Sequence, residues 1–247
     1  MKIIVDSGGT SATWALLRKT GTQVRSGAGI QPYFQEEQEI ARIAGEVATT
    51  LAAPVEALFF YGAGLEDQVP RQKVERALRQ AFPRTRLELQ TDMLGAARAL
   101  YQHDKGVAAI LGTGSNTCYY DGEKAEVWRR GYGFILGDEG SGAVLGRRLL
   151  RAFLYERMPP ELETAFRRAF PLSKGDFLQK IYRESSPNRF LGGLAPFAAQ
   201  WREHAFMQNL LHEHFGEFFD QMLEIYARRG HLKVSCVGSI AWHFREE

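Results

Sequence analysis

The sequence has few cysteines and no long apolar run. Its 247 residues include only two cysteines, Cys118 and Cys236, which are too few to build a thiolate metal site or an iron–sulfur cluster on their own. Both lie in apolar, strand-like runs, so we expect reduced, buried thiols in a cytoplasmic protein. No apolar run approaches the roughly 20 residues that span a bilayer, and the first residues lack the pattern of a signal peptide.

The sequence also lacks an excess of charge of either sign. Lysine and arginine total 31 and aspartate and glutamate total 29, which gives a net charge of +2. We therefore expect neither nucleic acid nor an anionic membrane as a partner. With 45% hydrophobic and 24% charged residues, the composition is that of a soluble globular protein of one large or two ordinary domains.

Glycine, by contrast, is abundant, and it is concentrated in two short turns that also carry hydroxyl groups. The turns lie at residues 6–11 and 112–116, and each separates two apolar runs that predict strands. Glycine permits close approach of a phosphate, while hydroxyls and backbone amides donate to an anion. Either turn alone could be an ordinary hairpin connection, but a pair of them predicts that a polyphosphate is held. The candidate phosphate-binding residues are Gly8, Gly9, Thr10, Ser11, Gly112, Thr113, Gly114 and Ser115.

The order of predicted elements is stated twice along the chain. The first copy is predicted as strands 2–6, 13–18 and 22–27, helix 35–52, strand 57–61, helix 67–81, strand 87–89 and helix 93–103. The second copy begins with strands 107–111, 117–120 and 124–129. It continues with a proline-interrupted helical insertion at 141–229 and a strand at 232–237. This repeat of topology predicts an N-terminal domain, 1–104, and a C-terminal domain, 105–247. The second copy ends one helix and one strand early, which favours a truncated second domain.

Two acids follow predicted strands and are candidates for chemistry. Asp6 could hold a magnesium ion through water, or it could only accept hydrogen bonds from turn amides. Asp92 could be the N-cap of the next helix, or a general base that accepts the proton of an attacking hydroxyl. Its place between the two glycine turns favours phosphoryl transfer, with Asp92 as the base.

Residues 131–142 contain five glycines and the adjacent acids Asp138 and Glu139. Acids before a helix are favourable for structural reasons alone. The glycine density instead favours backbone that wraps closely around a ligand, with carboxylates that bind vicinal sugar hydroxyls. His212 and His214 fall on different faces of a predicted helix and predict no metal site. The aromatic residues of 201–226 have helical spacing and are interpreted as core or as the face of a possible homodimer.

These motifs together resemble the actin–hexokinase superfamily. Within it, the chain is most similar to the N-acetylglucosamine kinase-like group of the BadF/BadG/BcrA/BcrD ATPase family. The resemblance rests on residues 6–10, 112–116 and 237–241, and on 62–64, 91–92 and 137–141. It implies an α/β fold of two ribonuclease-H-like, actin-like ATPase domains with a central cleft. ATP and Mg²⁺ would bind there, with a small-molecule sugar beneath the γ-phosphate.

The resemblance also implies roles for single residues. Asp92 would orient the 6-hydroxyl of the sugar as general base, Asp138 would bind ring hydroxyls, and Asp6 would lie at the metal. Gly238 and Ser239 would belong to the adenosine motif. The residues implied on the sugar side are Gln31, in place of the family's asparagine, and Gly64, Asn116, Gly133, Asp138 and Glu139.

The leading hypothesis is therefore ATP-dependent phosphorylation of glucosamine or N-acetylglucosamine at the 6-hydroxyl. Ser7, Ser11 and Gln31 depart from the family's usual residues, and these changes leave open a non-catalytic sensor of sugar or nucleotide. An activator-type ATPase is a further alternative. Its cluster-bridging cysteines do not match the positions of Cys118 and Cys236.

Overall fold

A computed structural model describes residues 1–230 and 233–247. The chain divides into two compact units, Met1–Ala99 and Leu100–Glu247, and each is described here by itself. The division falls within the helix Asp92–Tyr101, ahead of the domain boundary predicted after residue 104.

The first unit is built on a five-stranded mixed sheet. Its strands are β1 (Lys2–Ser7), β2 (Ser11–Arg18), β3 (Gly21–Ala28), β4 (Ala57–Gly62) and β5 (Arg86–Thr91), in the order β3-β2-β1-β4-β5. The strands β1, β2 and β3 are antiparallel neighbours, while β1, β4 and β5 are parallel. In this register Ser7 lies beside Gly62, and Gly62 lies beside Thr91. The carboxyl ends of the three parallel strands therefore meet at one edge of the sheet.

Apolar patterning explains the rest of the first unit. Its helices are α1 (Glu37–Ala48), α2 (Gln68–Ala81) and α3, which begins at Asp92 and ends at Tyr101. Along β1, Ile3 and Val5 are fully buried, whereas Ile4 between them is exposed, as the two-residue period of a strand requires. The buried face packs into a core with α1 and α2. Every element predicted for this part of the chain is present, with bounds shifted by a few residues.

The second unit repeats the arrangement with a four-stranded sheet. Its strands are β6 (Gly106–Leu111), β7 (Ser115–Tyr120), β8 (Ala125–Glu126) and β9 (Val234–Val237), in the order β8-β7-β6-β9. As in the first unit, the first strand pairs antiparallel with the second and parallel with the strand that follows the helices. The predicted repeat of topology is thereby confirmed. Residue 232 of the predicted strand 232–237 lies outside the described residues.

The strand predicted at 124–129 is much shorter than expected. Only Ala125 and Glu126 pair with β7. Beyond them, the ring of Trp128 stacks on Tyr119 at 5.2 Å and on Tyr226 at 5.1 Å between ring centroids. The chain leaves the hydrogen-bonded ladder here because aromatic packing holds it instead.

Helices fill the insertion between β8 and β9, and prolines start several of them. The helices are α4 (Gly133–Leu136), α5 (Gly142–Leu154), α6 (Pro160–Ala169), α7 (Lys174–Tyr182), α8 (Pro187–Gly192), α9 (Ala195–Gln200), α10 (Ala205–Phe218) and α11 (Glu224–Ala227). A π-helical segment, Phe219–Leu223, separates α10 from α11, and α12 (Ser239–His243) follows β9. Proline is tolerated at the first helical position because that residue's amide has no intrahelical partner. The predicted division of the insertion by prolines is confirmed.

One prediction about the buried residues of this unit needs correction. Cys118 on β7 is buried as expected, but Cys236 is exposed, because β9 is an edge strand of the sheet rather than an interior one. Among the aromatic residues of 201–226, Phe218 and Tyr226 lie in the core; Phe219 is exposed, and for it the alternative interpretation as the face of a homodimer stays a prediction. Among the described residues, no helix combines the length and the apolar character that crossing a membrane requires.

Two helical glycines give opposite expectations for stability. A Cβ at Gly45 in α1 would have no neighbour within 4 Å, so Gly45→Ala should raise the free energy of unfolding by about 0.5–1 kcal/mol. A Cβ at Gly146 in α5 would overlap the carbonyl oxygen of Leu191, so Gly146→Ala should lower it by about 2–3 kcal/mol. Thermal unfolding followed by circular dichroism measures both. Equal effects of the two substitutions would contradict the close approach of α5 to α8.

Candidate functional site

The first glycine turn, residues 8–10, joins β1 to β2 at the edge where the parallel strands end. The Gly8 amide donates to the carbonyl oxygen of Ser11 at 3.0 Å, which closes the turn. Gly8, Gly9 and Ser11 are exposed, and a Cβ at Gly9 would have no neighbour closer than 3.9 Å, at Gln31. The backbone of the turn is therefore accessible to a ligand at Gly8 and Gly9.

Two residues that the sequence did not single out for a role hold this turn in place. A Cβ at Gly29 would overlap the carbonyl oxygen of Gly8 and lie 2.7 Å from the amide nitrogen of Ser11. The Gly29 amide donates to the Thr10 carbonyl at 3.3 Å. The fully buried Ser7 hydroxyl accepts from the Ile30 amide at 2.8 Å. The serine that departs from the family pattern thus anchors the segment after β3, and it does not face the turn's open side.

Asp6 lies on the opposite face of β1 from Ser7, because successive side chains of a strand alternate. Asp6 as a whole is exposed. Its carboxyl group is nevertheless partly shielded from water, and this burial raises its pKa above the usual value. Within the described residues, no group of three or more histidine, cysteine, aspartate or glutamate side chains could hold a metal ion. A lone carboxylate fits Mg²⁺ that arrives with nucleotide phosphates and keeps several waters, since Mg²⁺ is usually held by one or two carboxylates.

Gln31 and Gly64 come together beside the first glycine turn. Gly64 has a φ of +77°, and a Cβ there would lie 2.8 Å from the Gln31 side-chain oxygen. The loop of residues 29–35 is anchored by Gln35, whose side chain accepts from the Gln31 amide at 2.7 Å and donates to the Gly29 carbonyl at 3.0 Å. The structure therefore brings Gly9, Gln31 and Gly64 together.

Loop 29–35 also forms hydrogen bonds with helix α2 and with the residue that precedes it. The Tyr33 hydroxyl donates to the Asp67 carboxylate at 2.6 Å. The ammonium group of Lys73 in α2 donates to the carbonyl oxygens of Pro32 at 2.8 Å and Gln35 at 3.1 Å. Sequence reasoning missed these contacts, because each joins residues more than thirty positions apart and neither partner belongs to a motif.

Asp92 follows β5 at the same edge, as the first residue of α3. Its carboxylate accepts from the Met93 amide at 2.8 Å, while the Thr91 hydroxyl accepts from the Leu94 amide at 3.3 Å. Thr91 therefore supplies the side-chain cap to the third helical amide. Burial, followed by repulsion from Glu66, raises the pKa of Asp92 to about 6. A carboxyl with this pKa is mostly ionised at neutral pH and is a stronger base than an exposed aspartate.

The second glycine turn, residues 112–114, joins β6 to β7 at the equivalent position of the second unit. The Gly112 amide donates to the Gly114 carbonyl at 2.9 Å. The carbonyls of Gly112 and Thr113 accept from the first amides of α5, at Gly142 (2.8 Å) and Ala143 (3.1 Å). The N-terminal donors of α5 are thus used to hold the turn.

Asp138 lies beside this turn, surrounded by glycines. Its carboxylate accepts from the Gly133 amide at 3.0 Å, and a Cβ at Gly114 would lie 2.9 Å from one of its oxygens. Asp138 has a φ of +60°, which is rare for a residue with a side chain and which marks a constrained position. Burial raises its pKa to about 6. The segment of residues 137–141 that presents this carboxylate is called the acid loop below.

Ser115 and Asn116, two further predicted site residues, lie next to the acid loop, and their side chains form hydrogen bonds with the protein backbone. The Ser115 hydroxyl donates to the Glu139 carbonyl at 2.7 Å, so the donor predicted for a phosphate is used within the protein. The Asn116 side-chain oxygen accepts from the amides of Thr117 at 3.0 Å and Gly131 at 3.4 Å. Both side chains hold the backbone around Asp138.

The glycines of 131–142 have a cause that the sequence interpretation did not include. A Cβ at Gly131 would overlap the Ser115 carbonyl, one at Gly140 would lie 2.8 Å from the Phe218 ring, and one at Gly142 would lie 3.2 Å from Ile240. Packing of the unit itself therefore leaves no room for a Cβ at Gly131 or Gly140 and little room at Gly142. Of the five, Gly133 (φ +79°) has nothing within 4 Å of a Cβ position and is the one required by conformation alone.

Gly238 and Ser239 follow β9 in the second unit, as Gly64 follows β4 in the first. Gly238 has a φ of +109°, and a Cβ there would overlap the Leu111 carbonyl and lie 3.3 Å from the Gly112 amide. The implied adenosine motif thus lies directly against the second glycine turn. Ser239 is exposed at the start of α12.

Comparison with known proteins agrees with this arrangement. The profile of the BadF/BadG/BcrA/BcrD ATPase family matches residues 5–202, which include both glycine turns, Asp92 and Asp138. The chain belongs to this family.

The relatives found for this family member carry the names of sugar kinases. Glucosamine kinase GspK of Vibrio cholerae is 29% identical over 157 residues, which are 61% of the chain and 53% of the relative. The chain thus spans about half the length of this curated relative. A solved structure from Porphyromonas gingivalis, described as a candidate N-acetylglucosamine kinase, is 36% identical with a TM-score of 0.90. That match covers 100% of the chain and 88% of the other protein.

More distant structures share the fold. A ROK family glucokinase from Streptomyces griseus, solved with glucose and AMPPNP, has a TM-score of 0.60 at 15% identity. The match covers 98% of the chain and 84% of the glucokinase. The α/β class and the two mixed sheets of this ATPase-family member are therefore those of known sugar kinases.

Proposed function

We propose that the chain acts as an ATP-dependent kinase that phosphorylates an amino sugar, glucosamine or N-acetylglucosamine, at its 6-hydroxyl. The glycine turns of both units hold phosphates, Asp92 is the general base, and Asp138 binds ring hydroxyls. Gln31 and Gly64 take part in sugar binding, and the segment at Gly238 and Ser239 contributes to the adenosine side. The names of the relatives from Vibrio cholerae and Porphyromonas gingivalis support the choice of acceptor.

One observation carries this proposal: the register of β1, β4 and β5. Because Ser7, Gly62 and Thr91 are neighbours across these strands, the first glycine turn, the segment at Gly64 and the carboxylate of Asp92 all follow the same edge. In parallel sheets, ligands bind outside the carboxyl ends of the strands. A phosphate turn and a base with a raised pKa at this edge are the parts that phosphoryl transfer to a hydroxyl needs.

The proposed step moves one phosphoryl group. The sugar 6-hydroxyl oxygen forms a bond to the γ-phosphorus of ATP while the bond from that phosphorus to the β–γ bridging oxygen breaks. The hydroxyl proton passes to the carboxylate of Asp92, and the products are ADP and a sugar 6-phosphate. Asp138, held by the Gly133 amide, keeps the ring hydroxyls in place. Mg²⁺ would be held by Asp6 together with the phosphates, where it would neutralise phosphate charge.

The test is an ADP-release assay of the full chain with Mg²⁺ and ATP, run with glucosamine, N-acetylglucosamine, glucose or no sugar. We expect ADP release that depends on an amino sugar, with kcat/KM at least about tenfold above that for glucose. Phosphorus NMR should show a sugar 6-phosphate. Equal ADP release without sugar would instead show an activator-type ATPase. Sugar-linked nucleotide binding by calorimetry without product would show a sensor.

A further inference from the structure

His214 on α10 is a buried polar residue that the proposed reaction does not use. It is 1% exposed, and within the described residues neither ring nitrogen has a hydrogen-bond partner. Its neighbour His212 on the same helix is exposed. Buried polar atoms are nearly always paired, so the surroundings of this imidazole need an explanation.

The acid loop lies close to this imidazole at Gly140. Burial and then Arg148 lower the pKa of His214, and the backbone carbonyl of Gly140 opposes this as a hydrogen-bond acceptor, although the contact falls outside full hydrogen-bond geometry. One turn further along α10, the Phe218 ring occupies the space that a Cβ of Gly140 would need. α10 therefore contacts the loop at Gly140, two residues after Asp138.

The charges around His214 keep it uncharged. Burial, followed by the nearby guanidinium of Arg148, lowers its pKa to about 4. Arg148 projects from α5 and is paired with Glu217 and, at 3.7 Å, with Glu213, both on α10. A neutral imidazole has one N–H to donate and one nitrogen that accepts. His214 thus offers one donor next to a backbone carbonyl.

Other hydrogen bonds hold the acid loop and the neighbouring helix α4. The Ser141 amide donates to the Asp138 carbonyl at 3.0 Å, and Ser115 holds the carbonyl of Glu139. Arg147 of α5 donates to the carbonyls of Phe134 and Ile135 in α4. Gly140 adopts its φ of +79° without strain, whereas Asp138, with a side chain and a φ of +60°, needs support from its surroundings.

We propose that His214 is a positioning residue for Asp138. Its ring N–H donates to the carbonyl of Gly140 when the acid loop engages the sugar, and this bond fixes the turn that presents the Asp138 carboxylate. Hydrogen bonds of this kind are often long in unliganded enzymes and shorten in the complex. The inference rests on the proposed function, because it takes Asp138 to be the group that binds sugar hydroxyls.

The test compares His214→Phe, which keeps a ring but removes both nitrogens, with His214→Gln, which restores a donor. His212→Phe and His212→Gln are the matched controls on the exposed side of the helix. We expect His214→Phe to raise the KM for sugar about tenfold, the size of one lost hydrogen bond, with the KM for ATP unchanged. His214→Gln should recover part of the loss. With Asp138→Asn already present, His214→Phe should add nothing.

Hydrogen–deuterium exchange of the peptide that covers 137–145 provides a readout without turnover. Adding sugar should protect this peptide in the wild-type chain and in the His212 variants, and less so in His214→Phe. Equal protection, or equal rises in the KM for both substrates, would show that His214 only fills space and would overturn the proposal. If His214→Phe does not fold, His214→Leu, which also lacks both ring nitrogens, is compared with His214→Gln in the same assays. Absence of sugar-dependent turnover in the wild type would instead count against the proposed function.

Discussion

Replacing Asp92 by asparagine should lower kcat about 10²–10⁴-fold, the usual loss when a general base is removed. Asparagine keeps the size of the side chain and an oxygen that can accept from the Met93 amide, so α3 should begin as before. What it cannot do is accept the proton of the sugar hydroxyl. The KM for ATP should stay within about twofold, because the proposed role of Asp92 concerns the acceptor.

The pH dependence of the wild-type chain should show the same group. The pKa of Asp92 is raised to about 6, so the carboxyl binds a proton as the pH falls through 6, and kcat/KM for the sugar, which reports the free enzyme, falls with it. The ionised form is the one that burial disfavours, so the group costs stability above its folded pKa. Asp92→Asn should therefore be more stable than the wild type at pH 7.5, by at most about 3 kcal/mol, while it is far less active.

The control for this variant is Asp104→Asn, which changes an exposed aspartate in the same way. It should leave kcat and the unfolding temperature unchanged. If Asp92→Asn kept wild-type kcat, Asp92 would not be the base. If it lost activity and stability together, the loss would be structural and the pKa argument would be wrong.

Gly29→Ala should lower kcat/KM for ATP about 100-fold, which is the cost of misplacing a binding element by about 1 Å. The new Cβ would overlap the Gly8 carbonyl and lie 2.8 Å from the carbonyl carbon of Thr10. These are backbone atoms that cannot rotate away, so the first glycine turn must shift. We expect the unfolding temperature to fall as well, because the hydrogen bond from Gly29 to Thr10 would be strained.

Gly9→Ala separates ligand binding from folding at the same turn. A Cβ at Gly9 has no protein neighbour closer than 3.9 Å, so the unfolding temperature should not change. If a phosphate approaches the turn, the methyl group obstructs it and the KM for ATP should rise at least about tenfold. Gly216→Ala, in open space on α10, is the control and should leave the KM for ATP unchanged. A wild-type KM for ATP in Gly9→Ala would remove the first turn from the phosphate site.

Local patterns explain why much of the fold could be predicted. The strands of the first unit carry apolar residues at every second position or in short continuous runs, and the repeat placed the second sheet by analogy. β8 was predicted too long because the stacking of Trp128 between Tyr119 and Tyr226 depends on a residue about 100 positions away. Cys236 was predicted as buried because an apolar run does not reveal that its strand lies at an edge.

The residues of the candidate site that could be predicted from the sequence are those that interact mainly with residues close to them in the chain. Asp92 and the glycine turns belong to this class. Gly29 and Ser7 do not, since their roles depend on how the end of β3 returns to the first turn. The same limit applies to Ser115, whose hydroxyl is used by a carbonyl 24 residues further on. Hydroxyl-rich turns predict donors, but only the fold decides which donors remain for a ligand.

Among the residues that the structure describes, the two hydrophobic cores, one in each unit, have no member in common. Units with separate cores are able to lose structure at different temperatures, and a single melting point then describes neither of them. Gly45 lies in the first unit and Gly146 in the second, so each substitution reports on its own unit. Calorimetry of this chain is thus best interpreted as the sum of two transitions, each with its own enthalpy.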